Sequence, residues 1–295
     1  MRTIRSAEQL TGYLQQYQPH PGGVLVPTMG ALHQGHEALI RQAAHYAQQH
    51  NIPAGCVVTI FVNPTQFNEP QDYQRYPRTL EQDTIRCQNA GAKTIVAPTI
   101  EMVYPKGLDA PAPTLPAVAK DKGLEDQYRP GHFQGVAKVL QNLFTMLPPT
   151  AAIFGEKDYQ QLLLAQALVR QLNLPIEILP GPTVRDHDAL ALSSRNRFLS
   201  GQQRLAASAI PQALRNAHDQ PTIARAQAAM HDTLAHLSIE YATIRHAHTL
   251  ETLPPDTPQD ATCPRRAIIA CRLGDTRLLD NAPWPLPPDS PLRNL

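Results

Sequence analysis

Cysteine is scarce. The 295 residues contain four (Cys56, Cys87, Cys263 and Cys271), and no two are closely spaced. Neither a disulfide framework nor a zinc site follows from that spacing, so all four are expected as free thiols in a reducing cytoplasm. Long apolar runs are missing too. None reaches the ~18 residues a membrane-spanning helix needs, and no membrane partner is expected. The opening Met1-Arg2-Thr3-Ile4-Arg5-Ser6 runs into polar Glu8 and Gln9 and lacks the apolar core of a secretory signal. Charge of one sign is not in excess: 26 Lys and Arg against 25 Asp and Glu leave +1. That argues against a general nucleic-acid binder but leaves room for a local cationic pocket. No internal repeat is present.

What the chain does have is enough apolar residue, 42%, and little enough charge, 17%, to build a core. Its length suits one large domain or two smaller ones. Proline is the oddity, 29 residues against 15 glycines, about twice ordinary usage. Five prolines fall between Pro98 and Pro116 and nine between Pro254 and Pro291. Confined to loops and the tail, they punctuate elements that can still fold. The Pro283 to Pro291 tail is expected to be extended and mobile.

Strand and helix signals alternate through about residue 180. Val24 to Val26, Cys56 to Val62, Lys93 to Val96, Ala151 to Phe154 and Ile176 to Leu179 read as buried strands. Gly35 to Gln49, Leu80 to Ala90, Gln134 to Met146 and Tyr159 to Leu172 read as helices. This predicts an α/β fold: a Rossmann-like, doubly wound parallel sheet over residues 1–182. Pro180-Gly181-Pro182 reads as a hinge. Beyond it, helices over Gly201 to Leu214 and Thr222 to Leu237, and strands over Ile239 to Ile244 and Arg266 to Leu273, predict a smaller α+β domain over 183–295.

Ligands of open parallel sheets bind beyond the carboxyl ends of the strands, and five segments there carry chemistry. Pro27-Thr28-Met29-Gly30-Ala31-Leu32-His33-Gln34-Gly35-His36 is a strand, a glycine turn and a helix start. Helix N-termini suit phosphate, and two imidazoles three residues apart can donate to phosphoryl oxygens as charge develops. Surface histidines or a metal pair are the competing accounts, although zinc lacks a third ligand at a sensible spacing. Asn63 and Gln66 follow the second strand, and amides suit a hydroxy-carboxylate; on this segment alone a structural turn is the simpler account. Arg129-Pro130-Gly131-His132 suggests anion contact at a helix start, with an exposed loop as the alternative. Gly155-Glu156-Lys157-Asp158 offers close backbone approach, a cation and a cap, with Gln161 one turn on. Val184 and Arg185 lead to Leu192-Ser193-Ser194-Arg195, a compact candidate phosphate loop.

Together these stretches resemble one family, the pantothenate synthetases (pantoate–β-alanine ligases) among the HIGH-type nucleotidyltransferases. The matching segments are PTMGALHQGH (27–36), FVNPTQF (61–67), YPRTL (76–80), RPGHFQGV (129–136), FGEKDYQQL (154–162), LALSSRN (190–196) and RLGDTRLLDN (272–281). The resemblance implies ATP-dependent condensation of (R)-pantoate with β-alanine through a pantoyl-adenylate. It implies ATP contact by Met29, Gly30, Ala31, Leu32, His33, Gln34, Gly35, His36, Gly155, Glu156, Lys157, Asp158, Val184, Leu192, Ser193, Ser194 and Arg195. His36, His33, Lys157 and Arg195 would be the catalytic groups. Gln66 and Gln161 would hold pantoate, with Asn63, Arg129, His132 and Tyr76 in the pantoate and β-alanine pocket. Mg²⁺ would accompany ATP, a lid would follow the sheet domain, and the chain would form a homodimer. Two departures stand out. Gln82-Asp83 and Arg86 replace an acidic pair and a glutamine assigned to magnesium, which leaves Asp83 as the metal candidate. Ala189 stands where a glycine usually follows the aspartate. Other readings are a HIGH-type enzyme acting on a phosphorylated alcohol, which would need more cations in its acceptor pocket, and a non-catalytic nucleotide-binding protein.

Overall fold

The structure, a computed structural model, describes residues 1–67 and 70–295. Six strands form one sheet: β1 (Arg2–Ile4), β2 (Val24–Thr28), β3 (Cys56–Ile60), β4 (Thr94–Val96), β5 (Ala151–Gly155) and β6 (Glu177–Gly181). Their order is β1-β4-β3-β2-β5-β6, and every neighbouring pair is parallel. The order runs outward from β2 in both directions, which is the doubly wound arrangement, with its switch point between β2 and β5. The main helices of this part are α1 (Ala7–Gln16), α2 (Gln34–Gln49), α3 (Leu80–Asn89), α4 (His132–Met146) and α5 (Tyr159–Gln171). The expected alternation is present, with an added edge strand, β1, whose three residues are too few to carry a periodicity signal.

Central strands of a parallel sheet are covered on both faces and read as unbroken apolar runs. Val24, Val26, Val58, Ile95 and Ile153 are fully or nearly fully buried, packed with Ile40, Ala43 and Ala47 of α2. Those three share a face at helical spacing, and each large aliphatic side chain removed from water contributes about 1.5–3 kcal/mol.

Two prolines lie inside strands, and topology explains both. β2 continues through Pro27 to Thr28, pairing with β3 along its whole length but with β5 only at Val24 and Leu25. Pro27, which has no N–H to donate, therefore sits where β2 has parted from β5, at the mouth of the switch-point crevice. Pro180 belongs to β6, an edge strand, where a missing donor costs nothing. Of Pro180-Gly181-Pro182, expected as a hinge, Pro180 and Gly181 end β6 and Pro182 closes the first compact unit.

The chain divides into two compact units: Met1–Gly155 with Gln160–Pro182, and Glu156–Tyr159 with Thr183–Leu295. The second unit holds α6 (Gly201–Ala207), α7 (Ala209–His218), α8 (Ile223–Thr233) and an antiparallel sheet of β7 (Ser238–His246), β8 (Arg265–Leu273) and β9 (Thr276–Pro283), in that order. The single helix expected over 201–214 is interrupted at Ser208. Pro211 cannot donate to the carbonyl four residues back, so the helix restarts and takes Pro211 into a first turn, where no donor is needed. The hairpin partner β9 was not expected; Gly274, at φ +59°, begins its two-residue turn.

The tail expectation is corrected. Trp284, Leu286 and Leu292 are buried with Ile210, Leu214 and Ile269 in the second core, and the Trp284 indole donates to Ala217 O at 2.7 Å. Prolines extend the backbone between these anchors, but the anchors fasten it. Three of the cysteines are buried and all four are free thiols; burial pushes the thiols of Cys87 and Cys271 up to about 12. No helix among the described residues is long and apolar enough to cross a membrane.

Candidate active site

In the first unit, the turn after β2 is built around one carboxylate. Gly30 and Ala31 have φ of +82° and +52°, which turns successive amides the same way. Ala31 N–H donates to Asp83 Oδ2 at 3.0 Å and Leu32 N–H to Asp83 Oδ1 at 2.8 Å. The Thr79 hydroxyl adds a third bond at 3.1 Å. Asp83 is 1% exposed. A Cβ at Gly30 would come within 3.0 Å of Asp83 Oδ2 and 3.1 Å of Ile60, so glycine is needed for shape as well as for φ. Thr28 Oγ1 accepts from Gly30 N–H at 3.2 Å while donating to Thr59 O at 2.8 Å.

Asp83 thus shapes the turn. Its Oδ2 accepts two hydrogen bonds from the protein and its Oδ1 one, and the group is buried. Arg86, part of the same departure, forms an ion pair with Glu37 of α2.

The turn delivers both histidines to the N-terminus of α2 as a reciprocal cap. Gly35 N–H donates to His33 Nδ1 at 3.1 Å, and His33 N–H to His36 Nδ1 at 3.3 Å. The rings lie 4.1 Å apart, centre to centre. Since each Nδ1 accepts, the proton of each neutral ring sits on Nε2. Each ring therefore keeps its N–H on Nε2 at a helix N-terminus, where the helix dipole suits phosphate. Sequence spacing alone did not reveal this capping function.

β3 is followed by a tight turn, Pro64–Gln66, capped by Asn63. Asn63 is 1% exposed. Its Oδ1 accepts from Tyr104 OH at 2.6 Å and from the Thr65 hydroxyl at 3.0 Å, and its Nδ2 donates to Gly135 O at 3.3 Å. The Asn63 amide thus holds the turn that carries Gln66. Gly135 of α4 lets helix and turn touch: a Cβ there would lie 2.0 Å from Thr65 O. His132 Nδ1–H donates to Gln66 O at 3.2 Å, and its Nε2 accepts from Arg129 at 3.0 Å. A carbonyl can only accept and a guanidinium only donate, so neutral His132 carries its proton on Nδ1, the opposite tautomer to His33 and His36. Arg129 also lies 3.8 Å from Glu125. Tyr76 packs edge-on to Phe67 at 5.6 Å. Gln161 lies in the first turn of α5, half-buried. Gln160, its neighbour, is structural: it bonds to Glu125 N–H, Val118 O and Asp126.

In the second unit, Glu156, Lys157 and Asp158 form a single turn with Lys157 Nζ 3.8 Å from Asp158. Assigned with the sheet by linear reading, this turn groups with the C-terminal sheet because Asn281 Nδ2 donates to Glu156 O at 3.0 Å and Lys157 O at 2.9 Å. Val184 to Leu192 is a ribbon closed by Leu192 N–H to Val184 O at 2.9 Å. Arg185 fastens it through a bidentate pair to Asp280 at 2.7 and 2.9 Å. Arg204 bonds to Asp186 at 2.6 Å and Asp188 at 2.8 Å. Ala189 closes the ribbon's turn at φ +62°, which explains why glycine suits that position. Ser193 then caps the turn Ser194–Phe198, accepting from Arg195 N–H at 3.2 Å, and leaves Arg195 exposed. Asp280, Asn281, Arg266, Gly135 and Tyr104 were missed as site-forming residues. Asp280 and Asn281, inside the 272–281 segment, and Gly135, inside the 129–136 segment, had a sequence signal.

A family model described as pantoate–β-alanine ligase matches residues 2–283. The chain is 40% identical over 291 residues to a pantothenate synthetase of Pseudomonas putida, covering 95% of this chain and 96% of that one. It is 41% identical to a bifunctional pantoate ligase/cytidylate kinase of Synechococcus elongatus, but spans only 52% of that protein's length. A crystal structure of pantothenate synthetase from Thermus thermophilus superimposes with a TM-score of 0.85 at 38% identity, covering 97% of this chain and all of that one. The ligase of Francisella tularensis, crystallised with β-γ ATP and β-alanine, gives 0.75 at 30% identity, over 95% of this chain and 97% of that one. Sequence, fold and site-forming segments agree, and the chain belongs to the pantoate–β-alanine ligase family.

Proposed function

We propose that the chain condenses (R)-pantoate with β-alanine, converting ATP to AMP and diphosphate. The observation that carries this is the capped histidine pair on the Asp83-shaped turn, at the carboxyl end of β2 where the sheet order reverses. Met29 to His36, with Gly155, Glu156, Lys157, Asp158, Val184 and Leu192 to Arg195, contact ATP. Gln66 and Gln161 hold pantoate, and Arg129, His132 and Tyr76 complete the pocket with Asn63 behind them.

A pantoate carboxylate oxygen attacks the α-phosphorus in line, the bond from that phosphorus to the bridging oxygen breaks, and diphosphate leaves. The unprotonated amine of β-alanine then attacks the acyl carbon, the acyl–oxygen bond breaks, AMP departs, and one amine proton is released to the departing phosphate or to water. Neither step needs a protein nucleophile. Positioning and stabilisation of developing charge carry the catalysis. His33 and His36 donate through Nε2–H, while Lys157 and Arg195 supply cations. Mg²⁺ enters with ATP. Residues 1–182 act as the ATP- and pantoate-binding domain and 183–295 as the smaller lid domain. A homodimer fits the family, and a reducing cytoplasm fits four free thiols, three of them buried.

The test is ATP–diphosphate exchange with and without (R)-pantoate. Exchange should require pantoate, and AMP should appear on adding β-alanine; exchange of equal rate without pantoate refutes the assignment. His36→Ala or Lys157→Ala should lower turnover by roughly two to four orders of magnitude. Near-normal activity in both would refute these roles.

A further inference from the structure

Two cationic segments assigned above to ATP, the Lys157 turn and the ribbon leading to Arg195, are fastened by adjacent residues of one strand. Asp280 of β9 takes the bidentate pair from Arg185, which also donates to Ala189 O at 3.0 Å and so holds the ribbon from within. Asn281 reaches the other segment. It is 3% exposed, and all the polar atoms of its amide are engaged. Oδ1 accepts from Arg266 Nε at 2.6 Å, and Nδ2 donates to the carbonyls of Glu156 and Lys157. Arg266 lies over the Tyr159 ring at 3.9 Å and bonds to Glu156 Oε2 at 3.1 Å. A turn of three residues has little internal hydrogen bonding, so its main chain takes whatever position its outside partners impose. Here one side-chain amide pins two consecutive carbonyls, and the second of them belongs to Lys157.

We infer that Asn281 is a positioning residue for Lys157 in ATP binding, acting through the main chain of Glu156 and Lys157. Asp280 does the same for the 184–195 ribbon. The inference rests on the ligase reading above. Asn281 is the better probe, since breaking the buried Arg185–Asp280 pair would strand a charge and unfold the ribbon for reasons unconnected with ATP.

Asn281→Asp keeps the side chain's shape and the oxygen that faces Arg266, but replaces both amide donors with an acceptor turned towards two carbonyls. It should raise the KM for ATP about tenfold, the effect of losing a net hydrogen bond or two, and leave the KM values for pantoate and β-alanine unchanged. In a Lys157→Ala background the same substitution should add little, because its effect is transmitted through Lys157. Asn281→Ala, with thermal unfolding measured alongside, serves if the aspartate variant does not fold. Unchanged ATP KM in a folded variant, or effects that multiply fully with Lys157→Ala, would overturn the inference. Loss of affinity for all three substrates alike would also overturn it, since that is what general loosening of the fold produces. If the unaltered chain shows no pantoate-dependent exchange, the ligase reading itself fails and takes this inference with it.

Discussion

Replacing Gly135 by alanine separates two physical effects of opposite sign. Gly135 lies in the first turns of α4, where alanine in place of glycine ordinarily stabilises a helix by about 0.5–1 kcal/mol. Here the added Cβ would lie 2.0 Å from Thr65 O, 2.5 Å from Thr65 C and 2.9 Å from Gln66 N. All three are main-chain atoms, so no side chain can swing aside, and an ordinary contact would require a separation of roughly 1.4 Å more. Overpacking of this kind costs about 1–3 kcal/mol or more, which outweighs the helix gain. The turn that moves is the one capped by Asn63 and carrying Gln66, so the pocket proposed for pantoate is displaced with it. A shift near 1 Å in a positioned group can lower turnover about 100-fold. Gly12 is the control: it lies in α1, and a Cβ added there would meet nothing within 4 Å. Gly12→Ala should therefore stabilise the chain by about 0.5–1 kcal/mol. Thermal unfolding and kcat/KM for pantoate at saturating ATP read both effects. Gly135→Ala as stable as Gly12→Ala, with normal kcat/KM, would refute the reasoning.

Three further outcomes are expected from the geometry. Asp83→Asn loses the charge and one of two acceptors for the turn amides, and kcat/KM for ATP should fall about 10- to 100-fold, the range for a weakened hydrogen bond to a buried charged group; added Mg²⁺ should not restore it, and restoration would assign Asp83 to the metal instead of the turn. Ala189→Gly should raise the urea midpoint, because a left-handed L-residue costs about 1–2 kcal/mol and glycine's extra freedom in the unfolded chain offsets only about 0.4–1 kcal/mol; a lowered midpoint would contradict it. Hydrogen bonds from His187 and then Arg204 hold the Asp186 carboxyl down at about 2. Its contribution is present above the unfolded value near ~4 and is lost as pH falls from there towards about 2. The stability difference between parent and Asp186→Asn should therefore shrink across that window, and a difference independent of pH would exclude the pairing.

Much of the site was legible because its groups come directly after strands. The apolar runs at Val24, Cys56 and Ala151 announce strands, and in a parallel sheet the residues next along the chain lie at the carboxyl end. His33, His36, Asn63, Gln66 and Lys157 could be placed that way without any knowledge of contacts. Asp83 could not. The family resemblance made it a metal candidate, and only the approach of α3 to the turn after β2, 51 and 52 positions away in sequence, shows that its oxygens accept from Leu32 and Ala31. Pro27 and Pro180 misled for a similar reason: proline ends a strand only where a neighbour requires its N–H, and which strand edge is unpaired is a property of the sheet.

By itself the sequence determined the alternation of strand and helix, the parallel sheet, the family and the identity of the polar groups at the strand ends, since each is encoded in local periodicity or in contiguous motifs. Tertiary structure decided what those groups do to one another. It set opposite tautomers for His132 and for the His33–His36 pair, made Asp83 the anchor of a turn, tied Lys157 to Asn281 across 124 positions, and folded a proline-rich tail onto a core through Trp284. Hydrogen bonds and packing between distant segments arise from the assembled sheet, and no local pattern specifies them.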